Sequence, residues 1–197
     1  MNHLYEVLAS LLEYPGEDWN DRVERCKQWL TIQEPDIAVQ FIGFRRKVGK
    51  LSIAQLQELY TQTFDLNPVC TLDIGYHLFA ENYKRGELLA HLRETEAPFA
   101  LGQGDQLPDY LPVLLRLLVK LEDEELRLAL IAEVMVPALD KMVQTFGEGD
   151  NPYRDLIETI NKALRNELPE GTVTGRLAQG DALSELYRIS SNTAARH

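Results

Sequence analysis

The groups best able to make contacts are concentrated between Glu58 and Leu92, ELYTQTFDLNPVCTLDIGYHLFAENYKRGELLAHL, and in a short box, LPDYLP, at 107–112. Tyr60 and Phe64 stand four residues apart and therefore share one helix face. Tyr76, Phe79 and Tyr83 recur at three and four, and His77 and Glu81 are again one turn apart. Together with Arg85-Gly86 and with Asp109, Tyr110 and Pro112 of the box, they make aromatic faces edged with charge. The chemistry this suits is recognition: rings that bury a partner's apolar side chains and polar groups that fix its orientation, as in a groove that receives an amphipathic helix. Each residue alone also has a plainer use. An aromatic stripe at helical spacing is core, His77 is a structural histidine, Asp109 is an N-cap, and Arg85 pairs with a neighbouring carboxylate.

Bond-making chemistry finds little support. His77 and Glu81 do not form an HExxH pattern, and His3, His91 and His197 are scattered, so no metal-ligand spacing emerges. No GxSxG elbow occurs, and Cys26 and Cys70 sit in no activating context. The GQGDQ stretch at 102–106 reads as a turn, because it lacks the spacing of a phosphate-cradling loop. We therefore expect no catalytic residue, no metal and no permanently bound cofactor.

The net charge of −11 argues against nucleic acid, whose binding rests on neutralising phosphates with Lys and Arg. An acidic surface instead suits solubility or a partner with a basic segment. Two cysteines are too few for a disulfide framework and fit a reducing compartment. The N-terminus carries Glu6 and Glu13 and no basic region, unlike a signal peptide, and the longest apolar run, broken by Arg116 and Lys120, is too short for a membrane span. A cytoplasmic protein is expected, with no membrane contact.

The elements that must position the dense stretch are helices. Apolar residues recur at helical spacing almost throughout, and no alternating run reads as a strand. The first stripe, Leu4, Val7, Leu8, Leu11 and Leu12, stops at Tyr14-Pro15-Gly16. The next helix, from about Glu17 to Ile32, turns Trp19, Val23, Cys26, Trp29 and Leu30 inward. Pro35 opens a third and Gly49 closes it. Ser52 caps the helix that carries Tyr60 and Phe64, which ends at Asn67-Pro68. A helix over Thr71 to Phe79 follows, then a joint at Lys84-Arg85, a helix from Gly86 to Arg93, and a loop over 95–108. Asp109 is expected to cap YLPVLLRLLVKL, apolar on nearly all faces and so central, with Pro112 in its first turn. Glu122 to Glu125 begin a long helix that Pro137 divides and Gly147 ends, and Asn151-Pro152 starts the last. The expected fold is all-α: a single-domain bundle of roughly eight to ten helices over residues 1–166. Residues 167–197 form a mobile or weakly docked tail, with a short turn at 183–189.

YTQTFD, HLFAENYKRG and LPDYLP together resemble the chaperones that assemble respiratory nitrate reductase, within the redox-enzyme maturation family that also serves trimethylamine N-oxide and dimethyl sulfoxide reductases. LLEYPGEDW and EVMVPALDKMVQTFGEGDNPYRDLIETI are similar to that family's first and late helices, so the resemblance covers residues 4–165. It implies a helical, non-enzymatic cytoplasmic chaperone. Such a chaperone binds the apo catalytic subunit of a molybdoenzyme, partly through its N-terminal segment. It assists insertion of bis-molybdopterin guanine dinucleotide before membrane docking, alongside molybdenum cofactor biosynthesis proteins. The peptide contacts it implies are Tyr60, Phe64, Tyr76, His77, Glu81 and Arg85, flanked by Asp109, Tyr110 and Pro112. Many members have glutamate or histidine where this chain has Tyr76, and glycine where it has Ala80.

Further expectations follow from that reading. Binding is modest and reversible, and the 95–108 loop allows either a monomer or a weak, domain-swapped dimer. His77 beside Glu81 makes affinity depend on pH near neutrality. Replacing Arg85 or Asp109 affects client maturation more than melting. The competing readings are a nucleotide-binding or hydrolysing helical protein, a helical adaptor, and a chaperone for a perchlorate, selenate or sulfoxide reductase.

Overall fold

Seven of the ten residues of one helix are buried. This helix, α7 (Leu111–Lys120), buries Leu111 through Leu115, Leu117 and Leu118. Its one inward cation, Arg116, is satisfied at the rim by Glu6 and Glu13. The computed structural model describes residues 2–66, 69–101 and 106–175. Among them are ten α-helices, two π-helical turns and one short 3-10 turn.

α1 (Asn2–Ser10) lies along α7 and buries Leu4, Tyr5 and Leu8, with Leu11 and Leu12 just beyond its end. α2 (Trp19–Gln33) turns Trp19, Val23, Cys26 and Leu30 inward. α3 (Pro35–Val48) starts on its proline, stops at Gly49 and packs against the last of the described helices, α10 (Pro152–Glu167). Ser52 and Gln55 form a reciprocal capping box at the start of α4 (Ile53–Tyr60), satisfying two amides that helix geometry leaves unpaired. α4 runs on into a π-helical turn, Thr61–Asp65, where the Leu66 amide reaches back five residues to the Thr61 carbonyl. Asn67-Pro68, read as the helix end, lies outside the described residues.

Two boundaries differ from expectation. α5 (Ile74–Phe79) ends at Ala80, and α6 (Tyr83–Glu96) begins at once, capped by Asn82. The break therefore falls at 80–82, and Arg85-Gly86 lies within the first turn of α6. Close packing does not require glycine there: an added Cβ at Gly86 would meet nothing within 4 Å. The expected 95–108 loop is helical to Glu96, with a 3-10 turn over Ala97–Phe99. Residues 102–105 lie outside the description.

Ala80 has φ +50 and ψ −133, a region glycine enters freely and other residues only with strain of roughly 1–3 kcal/mol. The residue is exposed. Ala80→Gly is therefore expected to raise stability by about 1 kcal/mol net of the extra unfolded-state freedom. For a domain of this size that is a rise of roughly 2–4 °C in melting temperature, readable by thermal denaturation.

The division at Pro137 takes a specific form. α8 (Glu124–Leu130), capped by Asp123, passes through a π-helical turn, Ile131–Met135, into α9 (Val136–Phe146). Proline lacks the amide that would bond back along the helix, and the wider turn just before it absorbs the mismatch. α9 packs on both α10 and α5.

The chain beyond α10 stays on the bundle as far as residue 175. Glu167 accepts hydrogen bonds from the Tyr5 hydroxyl and the Arg127 guanidinium, Leu168 packs on the core, and the Gly175 amide donates to the Ala132 carbonyl at 3.0 Å. The short turn expected at 183–189 is outside the described residues. Among the described residues, no helix is long and apolar enough to cross a membrane.

Candidate functional site

A short segment crossing from the π-turn to α5 is held in place by the box at 107–112. The Ile74 amide donates to the Asp109 carbonyl and the Leu111 amide to the Leu72 carbonyl, each at 2.9 Å, making one antiparallel bridge between Asp73 and Tyr110. This bridge puts the Asp109 side chain against α5. There Gly75 leaves it room, since a Cβ at that position would stand 2.6 Å from Asp109 Oδ2.

Asp109 is not the N-cap that its place ahead of α7 suggests. The capping position is Tyr110, which makes no side-chain cap. The Asp109 carboxylate, with 0% exposure, turns instead to Arg85, whose Nε donates to Oδ2 at 3.0 Å. The Arg85 guanidinium also lies 5.8 Å from the centre of the Tyr76 ring and 3.7 Å from Asp73 Oδ2. A buried carboxylate is tolerated only with such a partner. This cluster therefore ties α5, α6 and the box together.

In front of it opens a cleft of about 640 Å³, lined by Val69, Cys70, Thr71, Asp73, Tyr76, His77, Arg85 and Thr145. Val69 and Tyr76 offer exposed apolar surface. His77 Nε2 lies 2.9 Å from the Thr71 carbonyl and 3.7 Å from Cys70 Sγ, so this nitrogen carries the proton and donates to Thr71. Burial lowers the His77 pKa; Lys141 acts in the same direction, while the Thr71 bond and Asp109 oppose it. Glu81, expected one turn from His77, is exposed on the far side of the Ala80 break. Burial also raises the Asp73 carboxyl pKa; the neighbouring Asp109 charge adds to this and Arg85 works against it.

Of the residues singled out in the sequence, Tyr76, His77 and Arg85 line the cleft, with Asp109 directly behind. Tyr60 and Phe64 do not. They are buried in an aromatic cluster with Tyr14 and Tyr153, and the Tyr60 hydroxyl donates to the Leu12 carbonyl at 3.0 Å. Tyr110 stands between the two groups, its hydroxyl 3.4 Å from that of Tyr60. Pro112 is buried in the first turn of α7.

The lining residues that spacing did not single out are Val69, Cys70, Thr71, Asp73 and Thr145. Thr71-Leu-Asp73 had a readable signal: the Thr71 hydroxyl accepts from the Asp73 amide at 3.2 Å, a local turn ahead of a helix. Thr145, from α9, had none.

The arrangement suits binding. Burial pushes the thiols of both Cys26 and Cys70 up to about 12, far from a ready thiolate. Among the described residues, no group of three or more His, Cys, Asp or Glu side chains is placed to hold a metal ion.

No protein-family model matches the chain. Over 175 residues it is 28% identical to the probable nitrate reductase molybdenum cofactor assembly chaperone NarJ of Bacillus subtilis (strain 168), an alignment covering 86% of this chain and 94% of that protein. The chain is thus similar to that protein along most of its length. The similarity spans nearly the whole relative, so it extends over the described bundle and is not confined to the cleft.

The neutral state of His77 has a consequence for stability. The unfolded chain takes up a proton on His77 near its ordinary value of 6.5, whereas the folded chain resists it until lower pH. Stabilisation from this group is therefore whole above 6.5 and is lost as the pH falls through the folded value. Buried His91, also lowered by burial, acts in the same sense. Melting temperature is expected to drop from about pH 7.5 to about pH 5.5, and His77→Gln to flatten that drop. Equal slopes in the variant and the unaltered protein would remove the histidine from this role.

Proposed function

We propose that this chain is an assembly chaperone for a respiratory nitrate reductase, without catalytic activity of its own, acting in the cytoplasm. It binds the apo catalytic subunit, including its N-terminal segment, and assists insertion of bis-molybdopterin guanine dinucleotide before the enzyme docks at the membrane. The observation that carries the reading is an open cleft with exposed Val69 and Tyr76 on its walls, in a chain similar along most of its length to a named chaperone of this kind. A short amphipathic helix laid in such a cleft buries a few hundred Å² of apolar surface, a gross several kcal/mol at about 25 cal/mol per Å². Association and ordering entropy reduce this to a modest, reversible affinity, which suits a partner that must later leave.

The test is co-purification with the catalytic subunit of nitrate reductase, together with molybdenum analysis of that enzyme from cells lacking the chain. The chaperone captures the cofactor-free subunit in preference to the mature one, and the reductase made without it is molybdenum-poor. Unchanged molybdenum content, or equal capture of both forms, defeats the reading. Capture of a perchlorate, selenate or sulfoxide reductase subunit instead would keep the chaperone and change its client.

A further inference from the structure

An arginine on the wall of a cleft suggests a receptor for anions, but the charges around Arg85 point the other way. Its Nε is committed to Asp109, its face lies toward the Tyr76 ring, and its Nη2 is fully buried without a hydrogen-bond partner. That withdraws two of the three guanidinium nitrogens from an arriving carboxylate. Asp109 balances that cation from behind, and its second oxygen, Oδ1, is buried with no partner of its own. Asp73 is then left over. It occupies the N-cap position of α5 but caps nothing, and its carboxylate stands 3.7 Å from Arg85 Nη2, beyond hydrogen-bond reach and one-third exposed on the cleft wall. Two carboxylates face one guanidinium, which leaves one negative charge uncompensated. His77, kept neutral by burial, does not offset it. Lys141 of α9 is the other cation near His77, and it is exposed and well solvated.

We propose that Asp73 accepts a lysine or arginine side chain of the segment that occupies this cleft, and so selects which segments it takes. This rests on the cleft being the client-peptide site. The apolar stem of such a side chain lies along Val69 and Tyr76 while its charged head reaches Asp73, the usual division of a long cationic residue at a half-buried surface. A charge pair partly withdrawn from water contributes more than a rim contact does.

Titration calorimetry with a synthetic N-terminal peptide of a nitrate reductase catalytic subunit tests it. Each Lys or Arg of the peptide is replaced in turn by Gln, and every peptide is measured against the unaltered protein and Asp73→Asn. Asp73→Asn is expected to weaken binding about ten-fold, and one peptide replacement to weaken it equally in the unaltered protein while leaving Asp73→Asn unaffected. Asp73→Asn binding the original peptide as tightly as the unaltered protein does overturns the assignment and spares the client site. So does a peptide series in which no Lys or Arg replacement weakens binding to the unaltered protein, a result independent of how the variant folds. An unaltered protein that binds none of the peptides removes the client site and the assignment together.

Discussion

Arg85→Leu is expected to melt far below the unaltered protein, and Arg85→Leu combined with Asp109→Leu to recover most of the loss. The asymmetry comes from Asp109, which has 0% exposure and whose only side-chain hydrogen bond among the described residues is the one from Arg85 Nε. Removing the cation alone leaves a carboxylate inside the bundle that must take up a proton or draw in water, a loss of roughly 3–5 kcal/mol. At roughly 2–4 °C per kcal/mol for a domain of this size, melting falls by about 10 °C or more. Replacing both partners by apolar groups of similar size leaves no stranded charge, and such exchanges are often near neutral. Thermal and urea denaturation of the two single variants and the double variant give the coupling directly. Additive losses would mean that the pair does not work as a unit. From sequence alone these residues were expected to matter more to client maturation than to melting; the burial of Asp109 adds a large structural role.

Phe64→Ala is expected to lower stability by about 3–5 kcal/mol, since truncating a buried aromatic removes its transfer energy and leaves a cavity. Phe64 meets Tyr60 at 5.1 Å and Tyr153 at 4.7 Å between ring centres, both edge-on, so the surrounding rings lose favourable geometry as well. Chemical denaturation measures the loss. The fraction that remains folded at low temperature should keep its peptide affinity, because Phe64 does not line the cleft. A variant of native stability with lost peptide binding would place Phe64 at the client surface instead.

Most helices could be read from the sequence because their signals are local. The Ser52–Gln55 capping box, Pro35 at a first turn, Gly49 at a helix end and the apolar surround of α7 each act within a few residues. What escaped was set by distant partners. Tyr60 and Phe64 at four-residue spacing look the same whether they face a client or a core, and what covers them is Tyr153, from the far end of the chain. Asp109 has the type and place of a cap, yet its side chain is claimed by Arg85 and by the space over Gly75. The end of α5 at Phe79 was read correctly, but the start of α6 was put late, at Gly86 rather than Tyr83, because glycine carries a turn signal and the Asn82 cap was passed over. The π-turns left no mark beyond Pro137. The cleft could be foreseen as a neighbourhood; Asp73 and Thr145 could not be assigned to it before the folded chain brought them there.

The carboxylate of Glu167 works as a clasp. One oxygen holds the hydroxyl of Tyr5 in the first helix and the other holds Arg127 in the eighth. A protein shortened to residue 166 would lose that latch and leave the Tyr5 and Arg127 donors without this acceptor, a loss beyond that of the chain end itself. Any minimal version of this chain made for crystals or display should therefore extend past the latch, to about residue 175, where the Gly175 amide fastens the backbone to the bundle.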